Sequence, residues 1–474
     1  MLFPSIEFGF FLAFVLVVAW GLTALKADRL RKLFLLAASL FFYAFWSVGF
    51  ALLLVLVATL AYAVALANQR LAAPGRRRLV IGLGVAVSLA VLGYFKYYDF
   101  VLSVLTNAGV FRALGLQPVF IEAAIPVAIS FFTFHAISYM VDCYRGRLVP
   151  TRSLTDVILY ISFFPHLVAG PIVRAADFIP QLARRPTETA LPYSDCLVLI
   201  VGGLFKKVVF ANYLSVAIVE PVFLAPARFD AGDILLAVVA YAYQIYFDFS
   251  AYTGIAIGVA ALLGYRFPDN FNQPYRSLSP REFWTRWHIT LSTWLRDYLY
   301  IPLGGNRHGL FATIRNLMIT MVLGGLWHGA NLTFVVWGAL HGVALVVNHL
   351  WMRTRLREAL APLLAWRALC LIGMTLFIWA TWIFFRSPDF ATALDIFEGL
   401  AERPGLPTLA TPFLAGILVV GVIGQFMPPS ASRAIRAGLA RLSAVVQVAG
   451  YAAAMAVLLV IAPSASAPFI YFQF

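Results

Sequence analysis

Apolar runs alternate along the chain with short polar loops, at a spacing that suits a bilayer better than a water-facing core. Crossing a bilayer takes roughly 20 apolar residues. Runs of about that length lie near 5–25, 33–48, 49–68, 79–95, 120–141, 193–218, 233–264, 311–328, 331–351, 367–386, 411–428 and 444–462. The pattern predicts an all-α polytopic membrane protein with about 11 or 12 transmembrane helices. The run 233–264 is long enough to be strongly tilted or broken.

Two segments do not fit this alternation. Residues 155–172 are apolar but have arginine-bearing loops on both sides, so they are predicted to dip in and return. In 280–300, Ser279, Pro280 and Glu282 form a capping box with proline at the first helical position, followed by Phe283, Trp284, Trp287, Leu291, Trp294 and Leu295. That segment reads as an amphipathic helix. Arg281, Glu282, Arg286, Arg296 and Asp297 are too many charges for a lipid-facing crossing, so it should lie in the interface or re-enter against protein.

Composition agrees with the pattern. The 474 residues are 62% hydrophobic and 12% charged, which excludes a soluble domain, a disordered chain, collagen and a coiled coil. The net charge of +14 resides in short clusters between apolar runs, as topology signals do, and not in a nucleic-acid-binding patch. Lys26, Arg29, Arg31 and Lys32, then Arg70, Arg76, Arg77 and Arg78, mark cytoplasmic loops. Continuing the alternation places 145–152, 174–185, 266–315, 353–367 and 433–441 on the same side. The acidic loops 219–232 and 387–410 then lie outside, with both termini. The first apolar run lacks a basic leader and a cleavage pattern and is expected to remain as a helix. Cys143, Cys196 and Cys370 are widely spaced, so neither a disulfide framework nor a metal site is expected.

Ionisable groups at membrane depth are costly and therefore candidates for function. His328 stands in Gly324-Gly-Leu-Trp-His-Gly-Ala-Asn331, between two apolar runs with almost no loop. His288 lies between Trp284 and Ser292, at i−4 and i+4, and should share one helical face with them. A neutral, desolvated imidazole suits a general base, although a hydrogen-bonded structural histidine is the alternative at either position. Asp248 could orient a histidine, line a polar tunnel or fix helix packing, and a structural polar network is the favoured reading. Lys206 and Lys207 could reach an anionic group or snorkel to the headgroups. His135, His166 and His341 read as packing residues, and His308 and His349 as interfacial. No phosphate-binding loop, nucleophile elbow or acidic metal motif is present, which leaves ATP-driven transport, serine hydrolysis and metal-dependent sugar transfer without support.

Several segments together resemble the membrane-bound O-acyltransferase family, in particular its alginate O-acetyltransferase branch. They are Pro126-Val-Ala-Ile-Ser-Phe-Phe-Thr-Phe-His135, Phe164-Pro-His-Leu-Val-Ala-Gly-Pro171, Gln244-Ile-Tyr-Phe-Asp-Phe-Ser250, Asn270-Phe-Asn-Gln-Pro-Tyr275, Glu282–Asn306 and Trp327-His-Gly329. The resemblance covers most of residues 1–350. It implies one integral-membrane domain over 1–474, with N-terminal helices in 1–115, a core over about 120–350 and C-terminal helices in 360–474. It further implies a bundle thinned at its centre, with re-entrant helices and a tunnel joining a cytoplasmic acyl donor to an acceptor on the opposite side.

By the same resemblance, His328 matches the family's essential histidine and His288 its second active-site position. The implied donor is acetyl-CoA, with no metal. Its phosphates would be met by some of Arg145, Arg174, Lys206, Lys207, Arg281 and Arg286, with Trp284, Ser292 and Asp248 as further positions on the donor path. His328 would act as general base, or carry the acetyl group itself, while His288 holds the thioester or departing thiol and stabilises charge at the carbonyl. Implied partners are membrane lipids and a periplasmic acetyltransferase of SGNH-hydrolase type or the polysaccharide itself, in a bacterial inner membrane. D-alanyl, peptidoglycan or cellulose acyl transfer by the same fold is the alternative. A lipid-linked sugar flippase and a recruiting scaffold are the readings from other classes.

Overall fold

A computed structural model describes residues 1, 3–186, 192–463 and 469–470, and the described residues contain helices and turns but no strand. Among them, nine helices are long and apolar enough to cross a membrane: Ile6–Ala24, Val48–Arg70, Pro74–Asn107, Tyr193–Leu224, Ala231–Leu262, Gly309–His328, Leu332–Trp351, Leu364–Arg386 and Ala444–Ile461. A tenth is added if Pro412–Phe426 and Pro429–Ala440, bent by 103° at their junction, count as one span. Large apolar side chains such as Phe10, Val17, Leu364 and Val460 face outward, as a lipid-solvated surface requires.

The all-α membrane architecture is as expected, and among the described residues fewer helices than 11 or 12 are long and apolar enough to cross, for local reasons. The run 33–48 belongs to Asp28–Ala44, whose 17 residues begin with Asp28, Arg29, Arg31 and Lys32. The run 120–141 yields a helix only from Ile129 to Tyr144, starting after Pro126. Met427, Pro428 and Pro429 end the helix at Phe426 and turn the chain. Conversely, 233–264 is one unbroken helix of 32 residues, Ala231–Leu262. At about 1.5 Å per residue it outruns the hydrocarbon layer, and burial of most of its length lets it carry polar groups.

The chain divides into two compact units, Met1–Tyr193 with Ala256–Pro268, and Ser194–Ile255 with Asp269–Phe474. Within the first, 155–172 forms two short helices, Leu154–Ser162 and Phe164–Leu167, and every residue from 156 to 173 is buried. Neither helix is long enough to span. His166 packs there among Phe163, Phe178 and Phe267, with His135 at 4.6 Å between ring centres, so both sit in an aromatic core. Buried Arg31 donates to the Tyr265 hydroxyl at 2.9 Å, and Lys32 pairs with Asp156 at 3.0 Å.

The second unit contains both candidate histidines. Its centre is a helical hairpin, Gly309–His328 and Leu332–Trp351. A Cβ on Gly325 would lie 2.2 Å from the Phe334 carbonyl oxygen, and one on Gly338 2.3 Å from that of Met321. The helices can approach this closely only because both positions lack a side chain. Asn331 then caps the second helix, its Oδ1 accepting from the Thr333 amide at 3.0 Å, and its Nδ2 donates to the Pro388 carbonyl at 2.6 Å. The close crossing therefore fixes the turn that follows His328.

Candidate active site

The amphipathic segment begins as its sequence indicates. Ser279 Oγ accepts from the Glu282 amide at 3.1 Å, while Glu282 Oε2 reaches back to the Leu278 amide at 2.9 Å, one residue before the usual capping-box partner. The helix then stops. Pro280–Arg286 and Ile289–Leu295 are separate helices, and His288 stands between them at φ 42°, ψ 54°, in the left-handed region. The expected face of Trp284, His288 and Ser292 therefore does not exist. Hydrophobic period alone could not reveal one left-handed residue inside a continuous amphipathic pattern.

This break turns the His288 ring into the protein, where it is fully buried. The His288 side chain caps no helix. Asn270 supplies the missing acceptors, because its backbone carbonyl accepts from the Ile289 amide at 3.0 Å and its Oδ1 accepts from the Thr290 amide at 3.1 Å. The same Oδ1 lies 2.9 Å from Thr290 Oγ1 and 3.1 Å from His288 Nδ1. Among the described residues, His288 Nε2, also buried, has no hydrogen-bond partner. Phe249 presents its ring edge-on at 4.6 Å, and burial pushes the imidazole pKa down to about 3, so the ring is neutral near pH 7.

His328 ends the first hairpin helix and is buried among rings. Trp327, Trp337 and Phe385 have ring centres 5.0, 5.2 and 5.0 Å from its own. Gly329 follows, and a Cβ there would lie 2.2 Å from the Phe334 ring, so the turn tucks under that side chain. Trp327 also lies 5.9 Å from His288. Both histidine rings thus pack near one indole in an aromatic setting.

The donor-side candidates separate into two groups. Arg281, Trp284 and Ser292 line a single cavity of about 360 Å³, together with Arg296, Leu317 and Met321. The cavity mixes apolar walls with the guanidinium groups of Arg281 and Arg296, the latter ion-paired with Asp297 at 2.7 Å. Trp284 packs against Trp337 and His341 at 5.8 and 5.3 Å, and Ser292 Oγ donates to the His288 carbonyl at 3.2 Å. Arg286 instead pairs with Glu282 at 2.9 Å. Lys207 and Asp248 form a buried ion pair at 2.9 Å, and Asp248 Oδ2 also accepts from the Ile470 amide at 3.0 Å. Headgroup snorkelling thus does not describe Lys207, and the polar-network reading of Asp248 fits its contacts. Lys206 is half-buried on the same helical segment, whose local π-helical winding offsets successive side chains.

Sequence reasoning gave no role to Asn270, Trp327 or Phe385. Asn270 stood inside a quoted motif, but its contact with His288 joins positions 18 residues apart and has no periodic signature. Among the described residues, no cluster of three histidine, cysteine or acidic side chains is arranged to hold a metal ion.

Comparison with known proteins gives concordant matches. The sequence model of the membrane-bound O-acyltransferase family, MBOAT, matches residues 40–387. The chain is 43% identical over 396 residues to the probable alginate O-acetylase AlgI of Pseudomonas aeruginosa, covering 82% of this chain and 73% of that protein. Identity to the corresponding protein of Azotobacter vinelandii is 42% over 395 residues, covering 82% and 76%. Identity to the peptidoglycan O-acetyltransferase of Helicobacter pylori is 35% over 430 residues, covering 84% and 78%.

Proposed function

Because the chain belongs to the membrane-bound O-acyltransferase family, we propose that this multi-pass O-acyltransferase moves acetyl groups from acetyl-CoA on the cytoplasmic side to an exopolysaccharide, alginate or a close analogue, beyond a bacterial inner membrane. The observation that supports the site assignment is that His288 and His328 both pack against Trp327 and are both buried among aromatic rings. The similarity to alginate O-acetylases carries the choice of acetyl group and polysaccharide.

An acceptor hydroxyl is a poor nucleophile at neutral pH, so a base must take its proton as it attacks. His328 is assigned that task. Its ring nitrogen accepts the hydroxyl proton while oxygen bonds to the thioester carbonyl carbon. The carbon–sulfur bond then breaks and the proton passes to the departing sulfur, yielding an O-acetyl ester and a thiol. His288 stands on the donor side and holds the thioester or the departing thiol. Arg281 at the cavity wall would meet the donor's phosphates while Trp284 and Ser292 flank its arm. Lys207 and Asp248, already committed to each other, are assigned to the scaffold. A periplasmic acetyltransferase of SGNH type completes the proposed route if the polysaccharide does not enter the site directly.

A second reading, peptidoglycan as acceptor, is favoured by the Helicobacter pylori relative. Proteoliposomes supplied with labelled acetyl-CoA, and with alginate or peptidoglycan fragments on the opposite side, separate the two. Label on alginate alone supports the first reading, label on peptidoglycan alone the second. Failure to consume acetyl-CoA with either acceptor overturns the donor assignment.

A further inference from the structure

Asn270 makes contacts that determine which nitrogen of His288 carries a proton. A backbone amide can only donate, so the atom of Asn270 that receives the Thr290 amide at 3.1 Å must be the carboxamide oxygen. That oxygen also receives the Thr290 hydroxyl at 2.9 Å. His288 Nδ1 lies 3.1 Å from the same oxygen. A deprotonated Nδ1 would set two lone pairs against each other, so Nδ1 carries the hydrogen and donates. In a neutral ring the other nitrogen then has the lone pair.

We propose that Asn270 is a positioning residue that holds His288 in its Nδ1–H tautomer, so that Nε2 is a second proton-accepting atom of the acyl-transfer site. The inference rests on the acyltransferase reading of His288. It alters the role expected for that residue, because a neutral ring with its lone pair at Nε2 cannot donate toward a carbonyl oxygen. It can accept from a donor N–H or from the thiol formed as the ester leaves.

Three observations support this role over simple packing. Among the described residues the Nε2 atom is buried with no hydrogen-bond partner, so its lone pair is not committed within them. The residue also adopts a left-handed backbone conformation, a strain that clusters at functional positions. Finally, Asn270 fixes the ring and its backbone together. Its Oδ1 and carbonyl cap the helix that begins at Ile289, so the tautomer and the ring's position have one common support. The rings that pack on His288 from other elements, Phe249 and Trp327, carry no charge.

The test combines spectroscopy and kinetics on the detergent-solubilised full chain. Imidazole nitrogen shifts of isotopically labelled protein, assigned to His288 by their loss in His288→Gln, report the tautomer directly. Wild type is expected to show a protonated Nδ1 and a bare Nε2. Asn270→Ala should show a mixture and lose about tenfold or more in kcat with little change in donor KM. Asn270→Asp keeps the acceptor and adds a negative charge beside Nδ1–H, which favours the imidazolium. It should restore the tautomer and move the acidic limb of the pH–rate profile to higher pH.

If Asn270→Ala fails to fold, Asn270→Asp alone still decides the matter through its pH profile. A bare Nδ1 in wild type, or an Asn270→Asp profile superimposable on wild type, would overturn the proposal. Absence of acetyl-CoA turnover in wild type would instead overturn the acyltransferase assignment of the donor, while the nitrogen shifts would still read the tautomer.

Discussion

The ring centre of Trp327 lies 5.9 Å from that of His288, although the two residues come from separate helical segments. The next residue in sequence is His328, whose ring centre lies 5.0 Å from the same indole. One aromatic side chain thus spaces both candidate catalytic groups. Truncating it should free both rings at once. Trp327→Ala is expected to cost about 3–5 kcal/mol of stability, the range for large aromatic truncations in cores. Trp327→Phe should retain most of the fold and lose acetyl transfer by a larger factor than stability explains. Thermal melts alongside initial rates check this.

The hairpin crossing makes a sharper prediction because the obstacle is backbone. A methyl group at position 325 meets the Phe334 carbonyl oxygen, which cannot rotate away. Gly325→Ala should therefore separate the two helices, displace His328 and cost about 1–3 kcal/mol, the range for overpacking. Gly373→Ala, in open space on Leu364–Arg386, should leave activity unchanged and keep or slightly raise the melting temperature. The pair measured together distinguishes crossing geometry from general sensitivity to glycine replacement.

Backbone strain at His288 can be separated from its chemistry. A left-handed residue with a Cβ costs about 1–2 kcal/mol relative to ordinary backbone, and glycine escapes that cost. Both His288→Gly and His288→Ala should be strongly impaired in transfer, but the glycine variant should be the more stable of the two. Equal stabilities in denaturation by heat would argue against a strained backbone at this position.

Burial of His288 also links pH to stability. Its folded pKa is pushed down to about 3 from an ordinary value near 6.5, so between those values the unfolded chain binds the extra proton. Stability then rises with pH across that window, by up to about 1.4 kcal/mol per unit for one group. The contribution is complete above pH 6.5 and is lost as pH falls toward 3. His288→Gln should flatten this part of the stability profile relative to wild type. Measuring both proteins between pH 4 and 7 at constant ionic strength checks the sign.

The buried Lys207–Asp248 pair is predicted to behave as scaffold. Lys207→Met should leave Asp248 as an uncompensated buried charge and destabilise the chain by about 3–5 kcal/mol. Adding Asp248→Leu should recover much of that loss and return acetyl-CoA turnover. Persistent inactivity in a refolded double variant would instead give the pair a part in the chemistry.

Fold class was legible in the sequence, and the two histidines stood out as candidates, because both leave strong local marks. Long apolar runs announce helices, and an imidazole between two such runs is costly enough to stand out. Crossing number was less legible. Pro126, Pro428 and Pro429 shorten or bend apolar runs that hydropathy counts as whole. The surroundings of His288 were not legible at all. A capping box followed by well-spaced tryptophans reads as one helix, while the break at His288 depends on acceptors that Asn270 brings from a different segment. The cavity proposed for the donor was partly visible, since Arg281, Trp284 and Ser292 line it, but Lys207 and Asp248 find each other through packing that no spacing encodes.

The most direct test of the central claim is thiol release from acetyl-CoA, measured in purified wild type and in His328→Ala and His288→Ala with alginate present. Wild type should release thiol and acetylate the polysaccharide. His328→Ala should do neither while retaining a native melting profile, and His288→Ala should be strongly impaired. Normal acetylation by a folded His328→Ala protein would contradict the account.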